Sequence, residues 1–230
     1  MSETPPSHPG PAGGPAYLDH NATTPVDPRV LTDAGVALLP LLVAMQDRGD
    51  RWVLGDGSVT GTAAEDSAEH ARVHALAGTR LPDGLELPGT QAEAAATVLF
   101  TYPGTGVEWG EPFAGAAGCT LENRLFRDAW PDFRRAGVDV RGISNQLPHE
   151  QEEFARAEKV PYDLLPDARH RLAAALRLPT FRCAGRPRHK RLVLVVDAQH
   201  AVRHTLFPVV GIPHEVTRSL RLAADLARTA

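Results

Sequence analysis

"VLFTYPGTGVEWGEPFAGAAGCTLENRLFRD", residues 98–128, runs from a β-branched apolar segment through loop formers into an amphipathic stretch. A strand, a turn-rich connection and a helix in that order make the opening unit of an α/β layer. The change at Gly118–Cys119 places Cys119, one of two cysteines, in the first turn of the predicted helix. Unpaired backbone N–H groups and the positive end of the helix macrodipole favour an anion there, which lowers a thiol's pKa. A thiol near 8.5 is about 3% ionised at neutral pH, whereas one near 6 is roughly 90% ionised. The competing reading makes Cys119 a small buried apolar residue, a common place for free cysteine. Local context leaves the two readings open.

Outward from this stretch, "TVLFTY" (97–102), "VDVRGIS" (138–144) and "RLVLVVD" (191–197) read as strands. Near-continuous apolarity in the first and third predicts burial on both faces. Helical patterns cover 119–136, 149–158 and 168–177. Another, "PHEVTRSLRLAADLAR", has Pro213 near its first turn. Strands alternating with helices predict an α/β fold with a partly parallel sheet. Upstream, residues 30–46 read as a helix broken at Pro40, and "AAEDSAEHARVHALAG" (63–78) as a second helix with Gly78 as its C-cap. Residues 1–15 are Pro, Gly and small polar residues, too poor in apolar surface to offset ordering entropy. The expected organisation is a disordered tail (1–15), a mostly helical N-terminal extension (16–78) and an α/β domain (79–230). No internal repeat is visible.

The 230 residues carry a formal charge of −4, which argues against a nucleic-acid or anionic-membrane partner. No apolar run approaches the roughly 20 residues that span a bilayer. The N-terminus lacks a basic and an apolar region of secretory type. Two unevenly spaced cysteines make neither a disulfide framework nor a metal motif. A cytoplasmic, reducing location is expected, with no metal or cofactor, and the chain is expected to be a monomer or homodimer.

Several ordered motifs carry a resemblance. Tyr102, Pro103, Pro112, Gly118, Cys119 and Phe126-Arg127-Asp128 fall in the register of a peroxiredoxin active-site segment, in its bacterioferritin-comigratory (Q-type) branch within the AhpC/TSA-like redoxins. "GVDVRGISNQ" resembles that family's second strand and turn. "VPYDLLPDARHRLAAALRLPTF" resembles its P-x-x-L-L-x-D loop and helix, and "KRLVLVVD" the strand bearing its essential arginine. The likeness covers roughly residues 79–230. It implies a thioredoxin fold and a thiol peroxidase acting on hydrogen peroxide or organic hydroperoxides. Cys119 would be the peroxidatic thiol, and Arg191 would hold it charged and donate to the peroxide. Pro112 would shield the sulfur, while Tyr102, Gly118 and Thr120 would belong to the pocket. A thioredoxin-like protein or a low-molecular-weight thiol would be the reductant.

Two departures stand out. The family's pocket threonine is replaced by Ala116, leaving Thr120 or Thr105 as substitute hydroxyls; losing such a donor costs on the order of a hundredfold in rate. The resolving cysteine that many members carry five residues after the peroxidatic one is replaced by Arg124. Either an external thiol completes the cycle or Cys183, in the basic stretch "FRCAGRPRHKR", resolves it.

"AYLDHNATTPVDPRVL" (16–31) resembles the opening of a pyridoxal-phosphate cysteine desulfurase, without that enzyme's large domain or a Schiff-base lysine in context. It implies a fragment without desulfurase activity. This motivates a rival reading: a thiol module that relays persulfide sulfur from, or docks to, a cysteine desulfurase. A third reading keeps the fold as an inactive binding protein. His70 and His74, four apart, lack the glutamate of a zinc motif and are expected to be structural. The basic run Arg182–Arg191 is expected to be a solvated loop.

Overall fold

The computed structural model describes residues 38, 41, 63, 65–81, 94–106, 118–183 and 186–229. The expected tail, the resemblance at 16–31 and most of the helix expected at 30–46 lie outside them; within that helix Leu38 and Leu41 are helical. In chain order the elements are α1 (Ala68–His74), β1 (Ala96–Thr101), α2 (Cys119–Arg135), β2 (Val138–Ser144), α3 (Pro148–Glu158) and β3 (Leu164–Pro166). There follow α4 (Arg171–Leu176), β4 (Thr180–Cys183), β5 (Arg186–His189), β6 (Leu192–Asp197), β7 (Val202–Leu206) and α5 (Ile212–Thr229).

Five strands form one sheet in the order β3-β2-β1-β6-β7. β1 pairs parallel with β2, and β2 with β3; β6 runs antiparallel to both β1 and β7. A parallel βαβ half, β1-α2-β2, thus meets an antiparallel ββα half, β6-β7-α5. This is the mixed α/β, thioredoxin-like architecture that the sequence predicts.

The apolar runs of β1 and β6 are buried along their whole length because both strands are internal and both faces are covered. Alternation sorts their side chains between two cores. Ala96, Val98 and Phe100 join Phe126 and Phe133 of α2 and Val216 and Ala223 of α5. Leu99, Leu192, Leu194 and Val196 face the other way and join Leu172 and Leu176 of α4 and Val73 of α1. β2 is equally buried although it carries charge. Asp139 and Arg141 are two apart and share a face, where Arg141 Nη2 lies 2.7 Å from Asp139 Oδ2 and Nη1 lies 2.6 Å from Asp163 Oδ2.

The basic run corrects the sequence reading. It forms the β4–β5 hairpin and then a buried stretch, His189–Arg191, instead of a solvated loop. Burial is tolerated because each side chain meets a remote carboxylate: His189 that of Asp167, Lys190 that of Glu69, Arg191 that of Glu122. The helix expected over 63–78 is shorter. Ser67 Oγ accepts from the His70 N–H, the helix closes at His74, and Gly78 occupies a later left-handed turn at φ 88°. His74 behaves structurally, its ring nitrogens facing the Phe207 carbonyl at 3.0 Å and the Thr205 hydroxyl at 2.9 Å.

Phe126 joins α2 to the sheet by stacking on Phe100 at 4.1 Å between ring centroids. Truncating it removes a fully buried ring from the larger core. Phe126→Ala is expected to destabilise the fold by about 3–5 kcal/mol, read by urea unfolding. A loss below about 1 kcal/mol would contradict this packing.

Candidate active site

Cys119 is the first residue of α2, as the sequence predicts, and Gly118 is the N-cap in a left-handed conformation at φ 99°. Glycine is required there twice over. A side chain would strain the backbone, and a Cβ would lie 2.8 Å from Ile212 Cδ1 and 3.8 Å from Arg191 Nη2. Gly118 therefore makes room for the Ile212 side chain of α5, while the arginine would be in ordinary contact with such a Cβ.

Arg191 precedes β6 directly, and β6 is hydrogen-bonded to β1, the strand that leads toward Cys119. This places Arg191 beside Cys119 although they are 72 residues apart; Nη2 lies 3.0 Å from Sγ. The same guanidinium donates through Nε to Glu122 Oε2 at 3.0 Å. Glu122 is one helical turn after Cys119 and shares its face. All three groups are sealed from solvent, at 4% exposure for Cys119, 2% for Arg191 and 1% for Glu122.

Among the remaining predicted residues, Tyr102 is a core ring stacked on Phe100, its hydroxyl 3.4 Å from Gln151 Nε2. Burial pushes its phenol well above the usual range. Thr120 is the second residue of α2 and half-buried. The Thr105 hydroxyl is committed to Gln146 Oε1 at 3.2 Å. Cys183 ends β4 opposite Arg186 and is partly exposed. Arg124 is paired on the surface with Glu158 at 2.8 Å. Pro112 and Ala116 lie outside the described residues. Sequence reasoning missed Glu122 and Gly104, whose backbone N–H reaches the Cys119 sulfur. The buried-face spacing of Cys119, Glu122, Asn123 and Phe126 is the one signal that could have singled out Glu122.

The expected lowering of the thiol pKa is reversed. Burial pushes Cys119 up to about 11; Arg191 pulls it down, Glu122 adds to the rise, and the N–H groups of Gly104 and Cys119 pull down again. Burial likewise raises Glu122 to about 7 against the pull of Arg191. The helix start and the arginine act in the direction read from sequence, but desolvation outweighs them. One cation faces two acids, so the carboxyl and the thiol compete for it and titrate as a pair. Glu122 binds its proton more tightly folded than its ordinary 4.5. Its contribution to stability is present below about 4.5 and is lost as pH rises through about 7.

Removing the competing charge should free Arg191 for the thiol. Glu122→Gln is expected to lower the Cys119 pKa, so that iodoacetamide labels it several-fold faster at neutral pH than in the parent chain. Mass spectrometry of Cys119 labelling against pH checks this. Slower labelling in a folded variant would mean that Glu122 serves the thiolate by holding Arg191 and does not compete with it.

Residues 90–205 match the AhpC/TSA family. The chain is similar to Peroxiredoxin Bcp of Escherichia coli K12, 30% identical over 125 residues, or 53% of this chain and 74% of that one. It is also similar to chloroplastic Peroxiredoxin Q of Gentiana triflora, 28% identical over 112 residues, or 49% of this chain and 48% of that one. The chain thus spans about half the length of the plant relatives it matches. Among solved structures, it resembles peroxidoxin BcpB from Mycobacterium tuberculosis with a TM-score of 0.47 and 25% identity, over 58% of this chain and 79% of that one. The stretch 16–31 that resembles a desulfurase lies outside the matched region. With the ordered motifs around Cys119 and the match over half its length, the chain belongs to the AhpC/TSA family.

Proposed function

We propose that the chain is a thiol peroxidase that reduces hydrogen peroxide or small organic hydroperoxides at Cys119. The observation that carries this reading is the buried Arg191 guanidinium, 3.0 Å from the buried Cys119 Sγ. A cation and two backbone N–H groups converging on a sulfur can do two things: stabilise the thiolate, and bind the peroxide oxygens as charge develops on them.

In the proposed step the thiolate attacks the nearer peroxide oxygen. An S–O bond forms, the O–O bond breaks, and hydroxide or alkoxide leaves and takes up the proton that the thiol lost. The products are a sulfenic acid and water or an alcohol. A reductant thiol then displaces water to form a mixed disulfide, and a second thiol releases Cys119. A thioredoxin-like protein or a low-molecular-weight thiol fits this role, and the cycle fits a reducing compartment such as the cytoplasm. Among the described residues no helix is long and apolar enough to cross a membrane.

Burial sets the pH dependence. The thiolate is the nucleophile and the resting thiol is raised to about 11. Reaction with peroxide should therefore quicken as pH climbs above neutrality, by up to tenfold per unit while the thiol remains mostly protonated.

A second reading concerns resolution. Burial and the charge of Arg186 lower the Arg188 pKa, while Glu150, Cys183 and Cys119 oppose that shift. Cys183, at the end of β4 and partly exposed, is the other thiol of the chain and the candidate internal resolving group. Attack by its thiol on the sulfenic acid would form the disulfide and release water. A Cys119–Cys183 bridge after one equivalent of peroxide, without added thiol, would support this. Persistent sulfenic acid would assign resolution to an external thiol.

The test of the main reading is to mix reduced protein with peroxide and trap sulfenic acid with a dimedone reagent. Labelling is expected on Cys119 and should vanish in Cys119→Ser. Arg191→Met is expected to slow the oxidation on the order of 10²–10³-fold. Labelling that survives Cys119→Ser would overturn the assignment.

A further inference from the structure

Arg191 is gripped from two sides of the sheet. Successive residues in extended chain point in opposite directions, so Arg191 reaches toward α2 while Lys190 reaches toward α1. There Lys190 Nζ lies 2.5 Å from Glu69 Oε2, with both side chains at 2% exposure or less. The Lys190 backbone is also held. Its N–H donates to the Pro179 carbonyl at 2.9 Å, and its carbonyl accepts from Thr101 Oγ1 at 2.7 Å. Thr101 ends β1, the strand that leads toward Cys119.

Glu69 itself is fixed. It lies in the first turn of α1, which Ser67 caps, and Val73 of the same helix packs in the core with Leu99, Leu192 and Leu194. The chain after α1 is tied to β7 and its approach by three backbone bonds: Gly78 N–H to the Val202 carbonyl, Val202 N–H to the Thr79 carbonyl and Leu81 N–H to the His200 carbonyl. α1 also lies before residue 90, where the family match begins. Residue 69, outside the shared region, therefore makes a buried ion pair one residue from the arginine that faces the thiol.

A buried ion pair is a poor source of net stability, because desolvation takes back most of the attraction, and an apolar pair of similar volume would hold α1 at least as well. What an ion pair supplies is direction. From this juxtaposition we propose that Glu69 is a positioning residue for the Cys119 site. Its pair with Lys190 fixes the chain one residue before Arg191 and so aims the guanidinium at the thiol. The inference rests on the peroxidase reading, since it assigns Glu69 a role in that chemistry.

The test compares the Cys183→Ser chain with the same chain carrying Glu69→Gln, reading the pH profile of Cys119 alkylation and the rate of sulfenic acid formation. The Gln variant is expected to alkylate with a profile displaced to higher pH and to oxidise between about tenfold and a hundredfold more slowly. Should loss of the Glu69 carboxylate unfold the chain, Glu69→Leu with Lys190→Met removes both charges and keeps the volume. It is expected to fold and to show the same displaced profile. A folded variant with the parent alkylation profile and oxidation rate would overturn the proposal, leaving Glu69 a purely structural group. Failure of the peroxidase reading would look different: the Cys183→Ser chain itself would form no sulfenic acid, while alkylation would still report how Glu69 affects the thiol.

Discussion

One guanidinium serving two buried acids is the constraint on which the rest of the structure depends. Arg191 is almost fully enclosed, and a charge so placed is tolerated only with partners in good geometry. Its partners include the Glu122 carboxylate and the Cys119 sulfur, both at 3.0 Å. Arg191 with a single anion is neutral overall, so ionising both acids leaves the three groups with a net negative charge. The proton that remains is therefore shared between a carboxyl and a thiol, and its distribution decides how nucleophilic the sulfur is.

The fold brings two distant pieces of chain together at that guanidinium. β1 and β6 are antiparallel neighbours, so the end of β1 lies beside the start of β6. The chain after β1 leads to Cys119 and the residue before β6 is Arg191. α2 then presents Cys119 and Glu122 on one face because they are a turn apart. Gly118, in a left-handed conformation, removes a Cβ that would crowd Ile212 of α5. A secondary frame steadies the same edge. Asp167 accepts from the N–H groups of Leu172 and Ala173 at the start of α4 and meets His189 at 3.1 Å, two residues before Arg191.

Much of this was legible in the sequence where the signal is local. The apolar runs of β1 and β6, the helix beginning at Cys119 and the α/β alternation depend on neighbours within a few residues, and these two strands and this helix fall within a residue of the expected bounds. Short strands such as β3 and β7 were missed, since three to five residues of mixed polarity carry little periodicity. Arg191 was legible only through the family resemblance, as no local pattern sets it apart from the other basic residues of its run. That run read as solvated because its partners, Glu69, Glu122 and Asp167, are remote in the chain. The thiol's acidity was misread for a related reason. The helix start is visible in sequence, whereas burial of the pocket is a property of the assembled fold, and burial proved the stronger effect.

The central claim, one cation shared by two buried acids, is tested most directly by infrared spectroscopy of the Cys183→Ser chain across a pH titration. The S–H stretch of Cys119 and the C=O stretch of protonated Glu122 can be followed in the same sample. The account predicts that the carboxylic band fades around pH 7 while the S–H band persists well into the alkaline range, its loss centred near 11. Loss of the S–H band below neutrality, with Glu122 already ionised, would contradict it.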